Sequence, residues 1–253
     1  LAIWMAGGVS VPLYSTVSSI TIQQIMEHSN TKVLFVGQLD DWNEMKAGVP
    51  SDVTCLSFPL SPRVDDKSWD DIIANSVPMT ESPARRHEEL ATVIYTSGTM
   101  GLPKGVMHSF SSLAAGASEM SNIYELNAND RILSYLPLSH VAERMCVELM
   151  SIYQGVHIYF SESLASFPAD LQRTQSTIFF AVPRIWAKFQ SRVFEKISEK
   201  KLYWLLKIHI VSGMVKKKVQ KQLGLNNVRY SISGAAPIHA SLLEWYGKLG
   251  IEN

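Results

Sequence analysis

A run of ten residues concentrates groups that bind phosphate. Residues 96–105 read TSGTMGLPKG and come directly after the apolar run LATVIY. Backbone N–H groups freed by glycines, hydroxyl donors and one cation together favour a bound oxyanion. An ordinary Gly/Ser/Thr surface turn is the alternative. The density of donors beside a lysine, at the end of a buried strand, favours the phosphate-binding interpretation.

The loop does not match the P-loop pattern GxxxxGK[ST]. Counted from Gly98, Lys104 stands at the lysine position, but Pro103 replaces the second glycine and Gly105 replaces the hydroxyl residue. Proline also removes an N–H that a phosphate cradle would use. The sequence therefore indicates a phosphate loop of another kind.

The elements around this loop alternate in a way that predicts an α/β fold. A helix is expected in TVSSITIQQIMEHSN, with Ile20, Ile25 and Met26 at helical spacing and a stop at Asn30, and the strand TKVLFVG follows. Strand, helix and strand within some thirty residues indicate a parallel sheet. Further strands are expected at 9–13, 53–60, 90–96, 106–108, 131–136, 155–160, 176–183 and 228–237. Further helices are expected within 65–89, after an N-cap at Ser109, and at 163–175, 184–223 and 241–250.

Composition sets broad limits on the function. The 253 residues, 46% of them hydrophobic, are enough for one large or two modest domains with a sizeable core. A formal net charge of zero gives no reason to expect a nucleic-acid partner. Cys55 and Cys146 suggest no disulfide scaffold, no apolar run is long enough to cross a bilayer, and a cytoplasmic location is expected. The missing initiator Met and the end at GIEN suggest a fragment.

The loop TSGTMGLPKG closely resembles the signature loop of the adenylate-forming (AMP-binding) superfamily. Other segments resemble that family in the same order: AGGVSVPLYSTVSS, LPLSHVAER, AVPRIWAKF and SISGAAPI. LPLSHVAER and AVPRIWAKF are most similar to long-chain fatty-acid–CoA ligases. The resemblance implies layered parallel-sheet subdomains with flanking helices, over 1–253, as part of a large N-terminal domain. The start of that domain and the small C-terminal domain would lie outside the chain.

The resemblance also implies roles for individual residues. The triphosphate of ATP would be bound by Thr96, Ser97, Gly98, Thr99, Gly101, Lys104 and Gly105. The adenine and the activated carboxyl would face Gly234, Ala235, Ala236 and Pro237, where small residues allow close approach to a flat base. His140 would lie near the acyl-adenylate and act with Lys104 as a catalytic residue. Without the resemblance, His140 reads as a helix-start or core residue, and the GAAP turn as a plain strand-to-helix turn.

By the same resemblance, the parent protein would activate a long-chain fatty acid with ATP and transfer the acyl group to coenzyme A. Magnesium would accompany the nucleotide, and no metal site built from protein ligands is predicted. Met100 stands where the family usually has Ser or Thr. The fragment alone is expected to show little or no turnover. The alternatives are a non-catalytic nucleotide- or lipid-binding module, and an adenylate-forming ligase with another acid or acceptor.

Two further features have competing interpretations. Glu143 is expected to share a helix face with His140, and Arg144 reads as a solvated charge. From Arg184 to Lys221 the chain carries eleven Lys/Arg and two Glu, a local charge of +9. One helix would present an apolar stripe, Trp186, Phe189, Val193 and Ile197, beside a basic stripe, Lys188, Arg192, Lys196 and Lys200. This predicts either peripheral contact of 184–221 with an anionic bilayer or a core helix with a solvated face.

Overall fold

The computed structural model describes residues 1–39, 41–62, 64, 68–96 and 102–251, and they form an α/β fold. The strands are β1 Val33–Val36, β2 Thr54–Ser57, β3 Leu90–Thr96, β4 Lys104–Ser109, β5 Arg131–Ser134, β6 His157–Phe160, β7 Ile178–Ala181 and β8 Tyr230–Ser233. The pairs β1–β2, β5–β6 and β7–β8 are parallel, which confirms the predicted fold class.

The helices lie between these strands, as the alternating pattern predicts. They are α1 Ala2–Met5, α2 Ser19–His28, α3 Trp42–Met45 with a 3-10 turn Lys46–Gly48, α4 Trp69–Asn75, α5 Phe110–Ile123, α6 Val141–Glu143 continuing through a π-helical turn Arg144–Leu149 into α7 Met150–Gln154, α8 Phe167–Thr174, α9 Pro183–Lys196, α10 Glu199–Lys207, α11 His209–Leu223 and α12 Ala240–Lys248. The chain divides into two compact units, 1–115 with 137–141 and 116–136 with 142–253.

In the first unit, α2 forms where its capping and apolar residues predict a helix. The Ser18 hydroxyl accepts a hydrogen bond from the Thr21 N–H at 3.3 Å, an N-cap that satisfies one free donor of the first turn. The helix ends before Asn30, whose φ of 50° is left-handed. The expected place of Ile20 on the apolar face is wrong, because this side chain is 68% exposed. Ile22 instead joins the core, since its spacing to the buried residues Ile25 and Met26 matches the helical period.

The expected strand at 9–13 is reduced to a single bridge. The Ser10 N–H donates to the Ala91 carbonyl at 3.0 Å, and the Val93 N–H donates to the Ser10 carbonyl at 3.0 Å. Pro12 has no N–H for the next ladder bond, so the pairing does not extend.

The strands that flank the candidate phosphate-binding loop, β3 and β4, form an antiparallel pair, whereas the other three pairs are parallel. In the register of β3 with β4, Thr96 stands opposite Lys104 and Tyr95 opposite Gly105. A connection this short can join antiparallel strands but cannot make the crossover that parallel strands need. The loop is therefore the closed end of a hairpin, and the helix α5 follows with the Ser109 hydroxyl accepting from the Ser112 N–H at 3.2 Å, as the predicted N-cap.

A glycine in the 3-10 turn of the first unit allows close approach to α2. A Cβ built on Gly48 would stand 1.9 Å from the carbonyl oxygen of Ser19, which is backbone and cannot rotate away. We expect Gly48→Ala to lower the free energy of unfolding by about 3 kcal/mol, the upper end of overpacking costs. Gly37→Ala is the matched control, because a Cβ there meets nothing within 4 Å. Equal urea-unfolding midpoints for the two variants would contradict this close approach.

The second unit is built on parallel strands joined at both ends. The Thr177 N–H, just before β7, donates to the Arg131 carbonyl of β5 at 2.9 Å. At the other end, the Tyr135 hydroxyl after β5 donates to the Phe180 carbonyl of β7 at 2.9 Å. Because β7 also pairs in parallel with β8, the carboxyl ends of β5, β7 and β8 lie at one edge. The main core of this unit is formed by aromatic and aliphatic side chains from β7, α8, α9, α10, α11 and α12.

The expected single helix over 184–200 is wrong at its C-terminal end. The helix α9 ends at Lys196, and Ile197 has extended backbone with φ −147° and ψ 128°. Trp186, Phe189 and Val193 are buried in the core, so the apolar stripe of α9 is a core-facing surface. Lys200 belongs to the next helix, α10. Of the two interpretations of this stripe, the core helix with a solvated face agrees with the structure.

Candidate functional site

The loop 96–105 is held at its two ends by the β3–β4 hairpin. The Thr96 side chain is exposed, and its hydroxyl donates to the Lys104 carbonyl at 3.5 Å. Lys104 is also exposed, at the first position of β4. Thr96 and Lys104 therefore stand opposite each other at the loop end of the hairpin. Of the predicted loop residues, Ser97, Gly98, Thr99 and Gly101 lie outside the described residues, as does Met100.

Gly105 has a packing role in the hairpin in addition to its predicted place in the loop. A Cβ on Gly105 would stand 2.7 Å from Cγ1 of Val93 and 3.1 Å from Cζ of Tyr95. The Tyr95 ring is buried, and its hydroxyl forms a hydrogen bond of 2.7 Å with Nδ1 of His28. Glycine lets the Tyr95 and Val93 side chains lie over the backbone directly after Lys104, which fixes the start of β4.

The second group of predicted site residues is the GAAP turn at the carboxyl end of β8. Gly234 is half-buried, and a Cβ there would stand 3.0 Å from Cε2 of Phe180. Ala235 has φ 68°, a left-handed conformation that costs a non-glycine residue energy and is often found at binding sites. Ala235, Ala236 and Pro237 are exposed. The turn thus presents three small or rigid residues beyond the strand end.

This turn shares its edge with the start of two other signature segments. Leu136 of LPLSHVAER follows β5, and Pro183 of AVPRIWAKF follows β7, both at the carboxyl ends of the strands. In open α/β sheets, ligands bind in the crevice outside the carboxyl ends of the strands. Three separate sequence segments are therefore gathered at the edge where a ligand site is expected.

His140 lies in a turn directly before the helix α6. Its N–H donates to the Pro137 carbonyl at 2.8 Å, and its side chain is half-buried. The alternative interpretation of this histidine as a helix-start residue agrees with that position. Its predicted role near an acyl-adenylate stays a prediction.

Glu143 and Arg144 are both buried, and each has a partner within the second unit. The carboxylate of Glu143 accepts hydrogen bonds from the Ser134 hydroxyl and, at 3.3 Å, from the Leu136 N–H. These bonds fix the end of β5 against the helix. The expectation that Arg144 is a solvated charge is wrong: it is buried, and its Nη1 lies 2.7 Å from Oε2 of Glu148. The π-helical turn begins at Arg144, and such turns are frequent at functional sites.

Burial raises the pKa of Glu143, and the hydrogen bonds from Ser134 and Leu136 offset only part of that rise. A carboxyl whose folded pKa is raised holds its proton more tightly in the folded state. Its contribution to stability therefore falls as pH rises from the ordinary value of about 4.5 through the raised one. Glu143→Gln removes this titration and keeps an amide oxygen as acceptor.

We therefore expect Glu143→Gln to become more stable relative to the unmodified chain as pH rises from 5 to 8. Urea unfolding at the two pH values measures the difference. Glu195→Gln, at an exposed carboxylate on α9, is the control for a charge change alone. A stability difference between Glu143→Gln and the unmodified chain that stays the same at both pH values contradicts the raised pKa.

The opposite edge of the parallel strands carries a charged cluster that no sequence pattern predicts. Asp130 precedes β5 and is buried, and both its oxygens accept from Nη2 of Arg229, at 2.9 and 2.7 Å. The Thr177 hydroxyl donates to it at 2.7 Å. Burial by itself would raise the pKa of Asp130. The hydrogen bonds from Thr177 and Arg229 outweigh this effect, so the pKa lies below its ordinary value. The cluster joins the amino ends of β5, β7 and β8 and lies away from the ligand edge.

The part of the chain that the structure describes offers neither a metal centre nor, at Cys146, a reactive thiol. No set of three or more His, Cys, Asp or Glu side chains there could hold a metal ion. Cys146 is the cysteine nearest His140 in sequence, and burial raises the pKa of its thiol to about 11. Cys146 is therefore protonated at neutral pH and is a poor nucleophile.

No helix among the described residues is long and apolar enough to span a bilayer.

Comparison with known proteins agrees with the signature segments. The family model "AMP-binding enzyme" matches residues 1–252. The long-chain-fatty-acid–CoA ligase ACSBG2 of Rattus norvegicus is 29% identical over 293 residues, covering 98% of this chain and 44% of that protein. The long chain acyl-CoA synthetase 3 of Arabidopsis thaliana is 29% identical, covering 92% of this chain and 41% of that protein. The chain thus spans less than half the length of these curated relatives.

Solved structures show the same fold. The anthranilate CoA ligase AuaEII in complex with anthranoyl-AMP superposes with a TM-score of 0.77 at 20% identity, covering 99% of this chain and 45% of that one. ATP-bound MatB from Rhodopseudomonas palustris gives a TM-score of 0.74 at 20% identity, covering 98% of this chain and 44% of that one. Family model, relatives and fold agree, and the chain belongs to the AMP-binding enzyme family of adenylate-forming ligases.

Proposed function

We propose that the protein containing this chain activates a long-chain fatty acid with ATP and transfers the acyl group to coenzyme A. The observation that carries the proposal is the arrangement of three signature segments at the carboxyl edge of β5, β7 and β8. The lysine-bearing hairpin loop supports it, because this loop supplies donors and a cation suited to phosphate. The relatives named above are long-chain fatty-acid–CoA ligases, and they align with nearly all of this chain. They support a fatty acid as the substrate class.

The reaction has two half-steps. A fatty-acid carboxylate oxygen attacks the α-phosphorus of ATP, the bond from that phosphorus to the bridging oxygen breaks, and pyrophosphate leaves. The thiol of coenzyme A then attacks the acyl carbon of the acyl-adenylate, and AMP leaves as the thiol proton is lost. Positioning and neutralisation of charge are the main tasks of the protein in the first half-step. No enzyme nucleophile is needed.

Each predicted residue has a task in this scheme. The Lys104 ammonium group and the loop donors of Thr96, Ser97, Gly98, Thr99, Gly101 and Gly105 bind the phosphates and steady the departing pyrophosphate. The turn from Gly234 to Pro237 faces the adenine and the activated carboxyl, with Ala235 and Ala236 allowing close approach. His140 lies against the acyl-adenylate. Magnesium arrives on the nucleotide phosphates, and no step is assigned to a metal held by the protein.

Product analysis tests the proposal. The full-length gene product that contains this chain is incubated with ATP, coenzyme A and an acid, and acyl-CoA and nucleotide are quantified by mass spectrometry. The acids are a long-chain fatty acid, a medium-chain fatty acid, an aromatic acid and an amino acid. We expect long-chain acyl-CoA and AMP in equal amounts. Products from the aromatic or amino acid alone would contradict the fatty-acid assignment, and ADP in place of AMP would contradict adenylation. Nucleotide binding without any product would favour the non-catalytic module, which the methionine at position 100 also favours.

A further inference from the structure

The helix pair α10 and α11 exposes large apolar side chains, unlike the core-facing helix α9. Trp204 on α10 is 62% exposed, and Ile210 and Met214 on α11 are 85% and 64% exposed. All three lie within six residues of Ile208, where α10 ends and α11 begins. Both helices also bury a face: Leu202 from α10, with Val219 and Leu223 from α11, joins the core of the second unit. The exposed apolar residues therefore lie on faces that the described residues of this chain leave uncovered.

These faces are also mainly basic, although α10 begins with the exposed Glu199. Seven lysines and no Asp or Glu occur between residues 200 and 243. On α10, Lys200, Trp204 and Lys207 are exposed at helical spacing. On α11, the exposed residues at helical spacing are Ile210, Met214, Lys217 and Lys221. We call this set of exposed residues the α10–α11 surface. On each helix, cations and apolar groups share one face.

A groove beside this surface is also lined by lysines. It has a volume of about 500 Å³ and is lined by Tyr203 and Leu206, together with Lys207, Lys216 and Lys248. The Lys248 ammonium group lies 4.7 Å from the centre of the Tyr203 ring, a cation–π arrangement. Three helices thus contribute one lysine each around an apolar floor. A phosphate group with an attached apolar chain has chemistry that complements this groove.

We propose that the α10–α11 surface is where this protein contacts an anionic lipid bilayer. Helices that lie on a bilayer combine lysines with Trp and aliphatic side chains, which enter the boundary between headgroups and acyl chains. Each lysine near an anionic membrane surface adds to the attraction. Nucleic acid would use the lysines but would leave Ile210 and Met214 in water. A bilayer accommodates both the charge and the apolar groups, and this decides between the two partners.

The α10–α11 surface covers only part of the basic segment 184–221, because the helix α9 does not belong to it. The apolar residues of α9 are in the core, so its cations Lys188 and Lys196 have no exposed apolar partners on their own helix. Contact with a bilayer should therefore depend on α10 and α11 and not on α9. The double variants Lys217→Glu/Lys221→Glu and Lys188→Glu/Lys196→Glu change the net charge equally, and all four lysines are exposed.

Vesicle flotation of the full-length gene product tests the proposal. We expect it to float with vesicles containing phosphatidylserine at low ionic strength, and to be released by added salt. Pure phosphatidylcholine vesicles should bind much less. Lys217→Glu/Lys221→Glu should weaken partitioning at least about tenfold, and Trp204→Ala should weaken it severalfold, while Lys188→Glu/Lys196→Glu stays close to the unmodified protein.

Three outcomes would overturn the proposal: no flotation on anionic vesicles, equal loss in both double variants, or binding to RNA in preference to vesicles. Circular dichroism melting of each variant separates loss of the surface from loss of the fold. The assay contains no substrate and measures no turnover. Its failure is therefore distinguishable from failure of the proposed ligase activity.

Discussion

Lys104→Ala is expected to slow acid activation by the full-length protein at least about a hundredfold, the scale seen when one donor to a developing oxyanion is removed. Lys104 is an exposed cation at the first position of β4, opposite Thr96 at the end of the hairpin. The hairpin fixes the backbone of Lys104. Under the proposed function, the charge of its ammonium group would stabilise the departing pyrophosphate. The loss should appear in the rate of adenylation and in ATP binding, with the fold unchanged.

The control for this variant is Lys46→Ala, at an exposed lysine in the 3-10 turn of the same unit. It removes an equal charge far from the loop in sequence and should leave the rate unchanged. Kinetics of Lys104→Ala that match those of Lys46→Ala would return the loop to an ordinary surface turn. Thermal melting of the two variants shows whether a lost rate comes from lost structure.

Trp186→Ala is expected to lower the free energy of unfolding by about 3 to 5 kcal/mol, the usual range for removing a large aromatic side chain from a core. Trp186 has 0% of its surface exposed. Its ring meets Phe179 edge-on at 5.1 Å and Tyr246 at 4.9 Å. Its indole N–H donates to the Ala181 carbonyl at 3.2 Å, and the Trp186 carbonyl accepts a hydrogen bond from the Tyr246 hydroxyl at 2.7 Å. Replacement by alanine opens a large cavity and leaves the carbonyl of Ala181 without this donor.

Trp204→Ala is the matched control, because this tryptophan is 62% exposed and lies outside the core. It should change stability by less than about 0.5 kcal/mol, as is usual for surface positions. Urea unfolding of both variants measures the difference. Similar losses for the two tryptophans would contradict the assignment of Trp186 to the core and Trp204 to the surface. Trp186 of the AVPRIWAKF segment thus stabilises the core beside the candidate site. Its burial accounts for this tryptophan without a direct role in chemistry.

The strands were predictable because buried strands are short apolar runs with turn residues after them. LATVIYT became β3 with the predicted bounds, and TKVLFVG and STIFFAVP contain β1 and β7. The break after α9 was not predictable from apolar spacing, since Ile197 continues the helical stripe in sequence. The only local signal is Ser198 followed by Glu199, a combination common at helix starts. Leu202 of the following helix α10 is buried in the core of the second unit, a long-range contact that no local pattern predicts.

The placement of the signature segments at strand ends was predictable from their motifs, whereas contacts between single residues across the fold were not. The hairpin loop and the GAAP turn were found from their motifs. The buried state of Arg144 was missed, because its partner Glu148 is one helical turn away and resembles a surface ion pair in sequence. The Asp130–Arg229 contact was missed for another reason: its members are 99 residues apart, and no local pattern connects them.

The measurement that tests the central claim most directly is acid-dependent exchange of labelled pyrophosphate into ATP, without coenzyme A, by the full-length gene product. This assay isolates the first half-step, in which carboxylate and ATP form acyl-adenylate and pyrophosphate. Exchange that requires a long-chain fatty acid and is lost in Lys104→Ala is the result we predict. No exchange with any acid, or exchange that does not depend on an acid, would contradict adenylation.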